Sequence, residues 1–186
     1  MPPKAKFSQE QIIESAYQLI REQGMEALSA RSLAARLGVS TAPLFTAFQN
    51  VEEIEREVIN KAAKLYDSYM QQGLSSSVPF KGAGLKYVEF AKDEPELFRL
   101  LFMREDTTPK DTHYLPAGFI YEADIVKMVS ASYGISEDRV RRIYNHLSVY
   151  THGLAVLFAQ GQNVFTMEDV SNMISEVYMA LREKEY

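Results

Sequence analysis

Residues 29–48 read Ser-Ala-Arg-Ser-Leu-Ala-Ala-Arg-Leu-Gly-Val-Ser-Thr-Ala-Pro-Leu-Phe-Thr-Ala-Phe, the spacing of two short helices around a tight turn. Ser29 is a good N-cap for the first, and Gly38 stands just past Leu37, where the chain needs a positive φ. Ser40 is expected to cap the second helix, in which Pro43 is tolerated because it falls in the first turn. Leu33, Leu37, Val39, Leu44 and Phe48 would hold the two helices together, and Ala34 is small enough for close approach. A helix-turn-helix places its second helix in the DNA major groove with N-terminal residues toward base edges. Those residues are Ser40, Thr41, Ala42, Phe45 and Thr46. Arg31, near the start of the preceding helix, has the fork that pairs with guanine O6 and N7. A plain helical hairpin would also explain two short helices around a glycine. The neighbours weigh against it, because a capped helix stands before the motif and a long helix follows.

That preceding helix shows Ile12, Ala16, Leu19 and Ile20 at one-face spacing, with Ser8 and Gln11 in capping-box form and Gly24 as a stop. From Val51 a long helix is predicted to about Gln72, with Ile54, Val58, Ala62, Leu65 and Tyr69 at helical intervals. The segment Gly73-Leu-Ser-Ser-Ser-Val-Pro79 is the clearest break by composition. Further helices are expected near 80–92, 94–104, 117–133, 136–161 and 167–184, with a polar loop at 105–116. No window alternates with period two. The expected fold is all-α, of about nine helices. Its expected domains are a three-helix reader over 1–50 and a larger helical ligand-binding and dimerisation domain over 51–186, joined by helix 51–72.

The chain has 186 residues, 46% of them hydrophobic and 24% charged, the balance of an ordinary globular protein. It has no cysteine, which excludes disulfides, thiol catalysis, zinc–cysteine sites and iron–sulfur clusters. The opening Met-Pro-Pro-Lys-Ala-Lys has no apolar core of a secretory signal, and the charge-free run 143–167 is too rich in Asn, Gln and His to span a membrane. A cytoplasmic, soluble protein is expected. The net charge of −5 argues against nucleic acid at first, but residues 1–64 carry eight basic and eight acidic groups, so the acidity lies beyond them.

No nucleophile–base pair or metal cluster is visible, so neither an enzyme nor a cofactor is expected. His146 and His152 lie about 120° apart round a helix and cannot chelate one ion from one face. Gly82-Ala-Gly84 begins like a nucleotide loop but lacks a third glycine and a preceding strand.

The region 65–160 is rich in Tyr, Phe and Met, side chains that adapt to irregular apolar ligands. Tyr69, Phe98, Phe102, Met128, Leu147, Tyr150 and Thr151 are the candidate pocket lining for a small apolar or aromatic ligand. Leu147 and Thr151 share a face with Ile143, Leu154 and Phe158, which points that face at the core. The helix 143–160 is apolar or small nearly all round, which predicts burial against a second subunit too. Ser148, His152, Ala155, Val156 and Ala159, with Val170, Ile174, Val177 and Leu181 of the last helix, are the candidate homodimer interface.

Residues 8–64 resemble the tetracycline-repressor (TetR/AcrR) family of transcriptional regulators. The likeness is carried by Ile12-Ile-Glu-Ser-Ala16, Gly24-Met-Glu-Ala-Leu-Ser29, Ser32-Leu-Ala-Ala-Arg-Leu-Gly-Val-Ser40, Leu44-Phe-Thr-Ala-Phe48 and Glu52-Glu-Ile54. Glu94-Pro-Glu-Leu-Phe-Arg-Leu-Leu-Phe102 and His152-Gly-Leu154 resemble pieces of one group of its ligand-binding domains. The resemblance implies a dimeric repressor, bound to palindromic double-stranded operator DNA and released when a small molecule fills the C-terminal helices.

Two positions depart from that pattern. Leu44-Phe45-Thr46-Ala47 replaces a Leu-Tyr followed by a His or Arg, and Val51 stands where many members have Lys. Lys4, Lys6, Ser29, the hydroxyls of Ser40, Thr41 and Thr46, Gln49, and the backbone N–H groups near Asn50 are the candidate compensating DNA contacts. The alternative reading is a helical small-molecule-binding protein whose weakened reader acts through a protein partner.

Overall fold

The computed structural model describes residues 7–104 and 122–183. Local caps set the first two helices. In α1 (Gln9–Gln23) the Ser8 hydroxyl accepts the Gln11 N–H at 3.2 Å, and the Gln11 side chain accepts the Ser8 N–H at 2.9 Å. The predicted stripe Ile12, Ala16, Leu19 and Ile20 is buried, with Tyr17 beside it. A single 3₁₀ turn, Met25–Ala27, leads into α2 (Ala30–Leu37), which a second reciprocal box between Ser29 and Ser32 caps. Gly38 ends α2 in the left-handed region, φ 67° and ψ 37°. Its N–H bonds Ala35 O while the Val39 N–H reaches Ala34 O, a Schellman closure that a side chain at residue 38 would strain.

Helix α3 (Ala42–Ala47) corrects one expectation. It is preceded by Thr41, not capped by Ser40, and no side-chain cap bond is made. Thr41 already has helical angles, φ −71° and ψ −19°, whereas a hydroxyl cap needs extended backbone.

Helix α4 (Val51–Leu74) runs two residues past the expected end. It buries Ile54, Val58 and Ala62 as read, then Tyr66 and Met70 in place of Leu65 and Tyr69. The buried stripe keeps steps of four residues, each advancing about 40° round the axis, whereas the expected stripe took a step of three after Ala62.

The remaining helices are α5 (Pro79–Asp93), α6 (Pro95–Phe102), α7 (Glu122–Tyr133), α8 (Glu137–Ala159) and α9 (Met167–Glu183). The described residues therefore hold nine α-helices and no strand, the all-α fold that the period predicts. The expected loop 105–116 and the start of the helix expected at 117 lie outside the described residues.

Packing divides the chain into two units. One takes the described residues to Leu65 together with Glu96–Met103; the other takes Tyr66–Pro95 and the described residues from Arg104 on. In the second, α5 packs on α8 and α9, and α8 also meets α7 and α9. Backbones touch where α4 turns into α5. A Cβ at Gly73 would lie 2.6 Å from the Gly82 carbonyl oxygen, and one at Gly82 would overlap Ser76 Oγ and the Gly73 carbonyl. The glycine pair Gly73/Gly82 is thus explained by close approach, not by phosphate binding.

Candidate nucleic-acid interface

Leu33 and Ala34 of α2, Leu44 of α3 and Phe48 just after it are buried. Leu37 and Val39, expected beside them, are half-buried. Gln9 Nε2 donates to Ala47 O at 2.7 Å, which ties the end of α3 to the start of α1. With Leu44 inward, the opposite side of α3 faces out. Ser40, Thr41, Ala42, Phe45 and Thr46 are all exposed, as are Ser29, Arg31, Gln49 and Asn50. Lys4 and Lys6 lie outside the described residues.

Exposure does not leave each of these groups uncommitted. Ser29 Oγ accepts the Ser32 N–H at 3.1 Å. Thr46 Oγ1 donates to Ala42 O at 3.1 Å, within its own helix. At the start of α4, Asn50 Oδ1 accepts the Glu53 N–H at 2.8 Å, and the Glu53 carboxylate accepts the Gln49 N–H at 2.7 Å. Two of the backbone donors expected to meet phosphate are therefore already bonded, one of them to an anion. The Asn50-x-x-Glu53 spacing was the signal for this.

Two basic side chains of the same unit face acids. Arg36 makes a bidentate pair with Glu22, 2.7 and 2.8 Å, and that hydrogen bond holds the Glu22 carboxyl below its ordinary value. Lys61 pairs with Glu14 and stands 5.1 Å from the centre of the Tyr17 ring; its hydrogen bond lowers the Glu14 pKa.

The candidate ligand residues fall in both packing units. Phe98 and Phe102, with ring centres 4.9 Å apart, belong to the first. Tyr69, Met128, Leu147, Tyr150 and Thr151 belong to the second. Ile143, Leu147, Thr151, Leu154 and Phe158 are buried together, as the helix face predicts. Thr151 Oγ1 donates to Leu147 O at 2.8 Å, so its hydroxyl hydrogen serves α8 and offers no donor to a ligand. Tyr69 is half-buried, and burial together with Asp93 pushes its hydroxyl up to about 12.

A polar pair that the sequence did not single out joins α5 to α8. Tyr87 Oη and His152 Nδ1 are 2.8 Å apart. Burial raises the tyrosine pKa and lowers that of the histidine, so the hydroxyl stays protonated and donates to a neutral ring. His152 thus has a partner within its own chain.

Of the candidate dimer residues, Ala155, Ala159, Val170 and Ile174 are buried inside the chain, leaving no surface for a second copy. Small residues admit close helix approach within a chain as readily as between chains. Ser148, His152, Val156, Val177 and Leu181 are half-buried. The apolar surface of these two helices is instead at Val149, 76% exposed, and Met179, 52% exposed, with Gly153 also exposed.

Among the described residues no group of three acidic, His or Cys side chains could hold a metal ion, and no helix is long and apolar enough to cross a membrane.

A three-helix unit with a buried core and an exposed second motif helix is the architecture of a helix-turn-helix domain. Residues 12–58 match the family of bacterial regulatory proteins of the tetR type. The rest carries the fold of TetR-like regulators. A TetR-like transcriptional regulator from Rhodococcus sp. RHA1 is 12% identical, covers 95% of this chain and 97% of its own, and superposes with a TM-score of 0.69. A protein of unknown function from the same organism is 19% identical over 97% of this chain and 98% of its own, with a TM-score of 0.75. NalD, the secondary repressor of the MexAB-OprM multidrug efflux pump in Pseudomonas aeruginosa, is 16% identical, with coverage of 92% and 94% and a TM-score of 0.54. No curated protein matches the sequence.

Proposed function

We propose that this protein is a dimeric DNA-binding repressor whose hold on its operator is released by a small apolar or aromatic molecule. The observation that carries the reading is the family match over residues 12–58 together with the outward face of α3, which Leu44 and the Gln9–Ala47 bond fix in place. Ser40, Thr41, Ala42, Phe45 and Thr46 meet the major groove, with Arg31 reading guanine. Lys4, Lys6, Ser29, Gln49 and Asn50 add contacts at its edges.

Two copies meet through the outer faces of α8 and α9 around Val149, Gly153, Val156 and Met179. Isologous contact of this kind gives a two-fold dimer, whose readers reach successive major grooves about 34–36 Å apart. The ligand is held in the second unit by Tyr69, Met128, Leu147, Tyr150 and Thr151, and acts by moving α4. By linkage, operator DNA weakens ligand binding by the factor that ligand weakens DNA binding. The chain has no catalytic role in this reading.

The test is selection from a random duplex library by the whole protein, followed by salt titration of the winning site. A palindromic winner whose affinity falls with salt is expected, since each phosphate contact releases counterions. Arg31→Ala should weaken that site by about 1–3 kcal/mol and relax preference at one base pair. Enrichment of no duplex would overturn the reading in favour of a binding protein that acts through a protein partner.

A further inference from the structure

Side chains that distinguish guanine or adenine in the major groove make paired hydrogen bonds, and arginine, lysine, asparagine and glutamine supply them. Helix α3 has none of the four; its exposed residues are Ala42, Phe45 and Thr46. The one hydroxyl among them is turned back on the helix, since Thr46 Oγ1 donates to Ala42 O at 3.1 Å. What Thr46 keeps for a partner is a methyl group and an acceptor oxygen. Phe45 is 48% exposed, the one large apolar side chain so exposed among the described residues 7–65.

Phe45 is also held in that position. Rolling α3 to cover the ring would bring out Leu44, which is 1% exposed, and Phe48, which is 5% exposed. It would also break the Gln9 Nε2 to Ala47 O bond. The reader thus presents a fixed apolar patch of two methyl groups and a ring. The apolar feature of base edges in the major groove is the C5-methyl group of thymine, and alanine, the threonine methyl and phenylalanine are the side chains that meet it.

We propose that α3 reads thymine methyl groups. Ala42, Phe45 and Thr46 select T·A pairs, thymine on the contacted strand, at the positions of each half-site that face α3. Hydrogen-bonded base recognition is left to Arg31 and the residues flanking the helix. This inference rests on the DNA-reading function proposed above and narrows it to one base.

The duplex selected by the whole protein is remade with deoxyuridine in place of each thymine in turn, which removes only the methyl group. At least one position in each half-site should lose about fourfold in affinity, the effect of exposing one buried methyl-sized group. At that position a 5-methylcytosine·guanine pair should bind better than cytosine·guanine, because it restores the methyl in the groove. The Phe45→Ala protein should lose affinity on thymine and lose little more on uracil, and its unfolding temperature should match that of the parent because the ring is at the surface.

Equal binding of thymine and uracil duplexes at every position would overturn the methyl reading and leave the DNA-reading function standing. Enrichment of no duplex would overturn both. Because the decisive change is made in the DNA, a misfolded variant cannot mimic either result.

Discussion

The helix starts and the turn of residues 8–53 are set by hydrogen bonds that span three to five positions, whereas the helices of the second unit meet through rings distant in sequence. In the first region Ser8 with Gln11, Ser29 with Ser32 and Asn50 with Glu53 set helix starts, and Gly38 sets the turn. In the second, Tyr66 packs edge-on against Tyr87 and Phe90 at 6.1 and 5.4 Å, and Phe80 meets Tyr144 and Tyr178. Local hydrogen bonds fix where a helix begins but bury little area. Ring contacts bury much area but do not say where a helix begins. The reader therefore depends on a few large apolar anchors set by short-range caps, and the second unit on many contacts, each of which can be repacked.

The largest effect expected from that contrast is at Leu33, fully buried between short helices. Leu33→Ala should cost about 2–5 kcal/mol, the usual result of opening a cavity that cannot collapse. Thermal unfolding checks it, and DNA binding should fall with it. In the second unit the sharper test adds an atom. Gly82→Ala gains about 1 kcal/mol in helix propensity but overpacks at about 1–3 kcal/mol or more. The added Cβ overlaps both backbone and Ser76, so the net sign is destabilising. An unchanged or raised unfolding temperature would mean that the α4–α5 turn yields, and that the two regions differ less than the packing implies.

The smallest effect separates the regions by pH. His152 has its pKa lowered from 6.5 by burial. Above 6.5 the folded and unfolded chains both hold it neutral. Below it the unfolded chain takes up a proton that the folded chain resists, so stability is lost as pH falls through the lowered value. Glu14, whose pKa is lowered from 4.5 by Lys61, contributes stability above 4.5 that is lost only below it. The second unit should thus soften first on acidification. His152→Gln can still accept from Tyr87 yet does not titrate, so it should flatten the upper part of the curve of unfolding temperature against pH. An unaltered slope would assign it to other groups.

Much of the reader was legible because its determinants are local. Ser8, Ser29 and Gly38 act within five residues of their own positions, and each does what its type and place predict. Ser40 failed as a cap because α3 begins one residue later, after Thr41, whose helical backbone angles leave that end without a side-chain cap. The second unit was legible as helices but not as surfaces. The alternation that buries Leu147 and Thr151 was readable, yet nothing local tells whether Ala155 and Ala159 pack against their own chain or another. The Tyr87–His152 bond spans 65 positions and has no short-range signature.

The bidentate Arg36–Glu22 pair and the Glu53 carboxylate at the head of α4 bear on how an operator would be found in a crowded genome. Attraction to any stretch of duplex is a matter of uncommitted positive charge. A regulator that neutralises part of that charge internally spends little time on irrelevant DNA, so a larger share of its copies stays in solution. It gives up long sliding searches along the duplex. In return, a small number of molecules per cell is enough to keep one operator occupied, because the million or more competing sites hold so few of them.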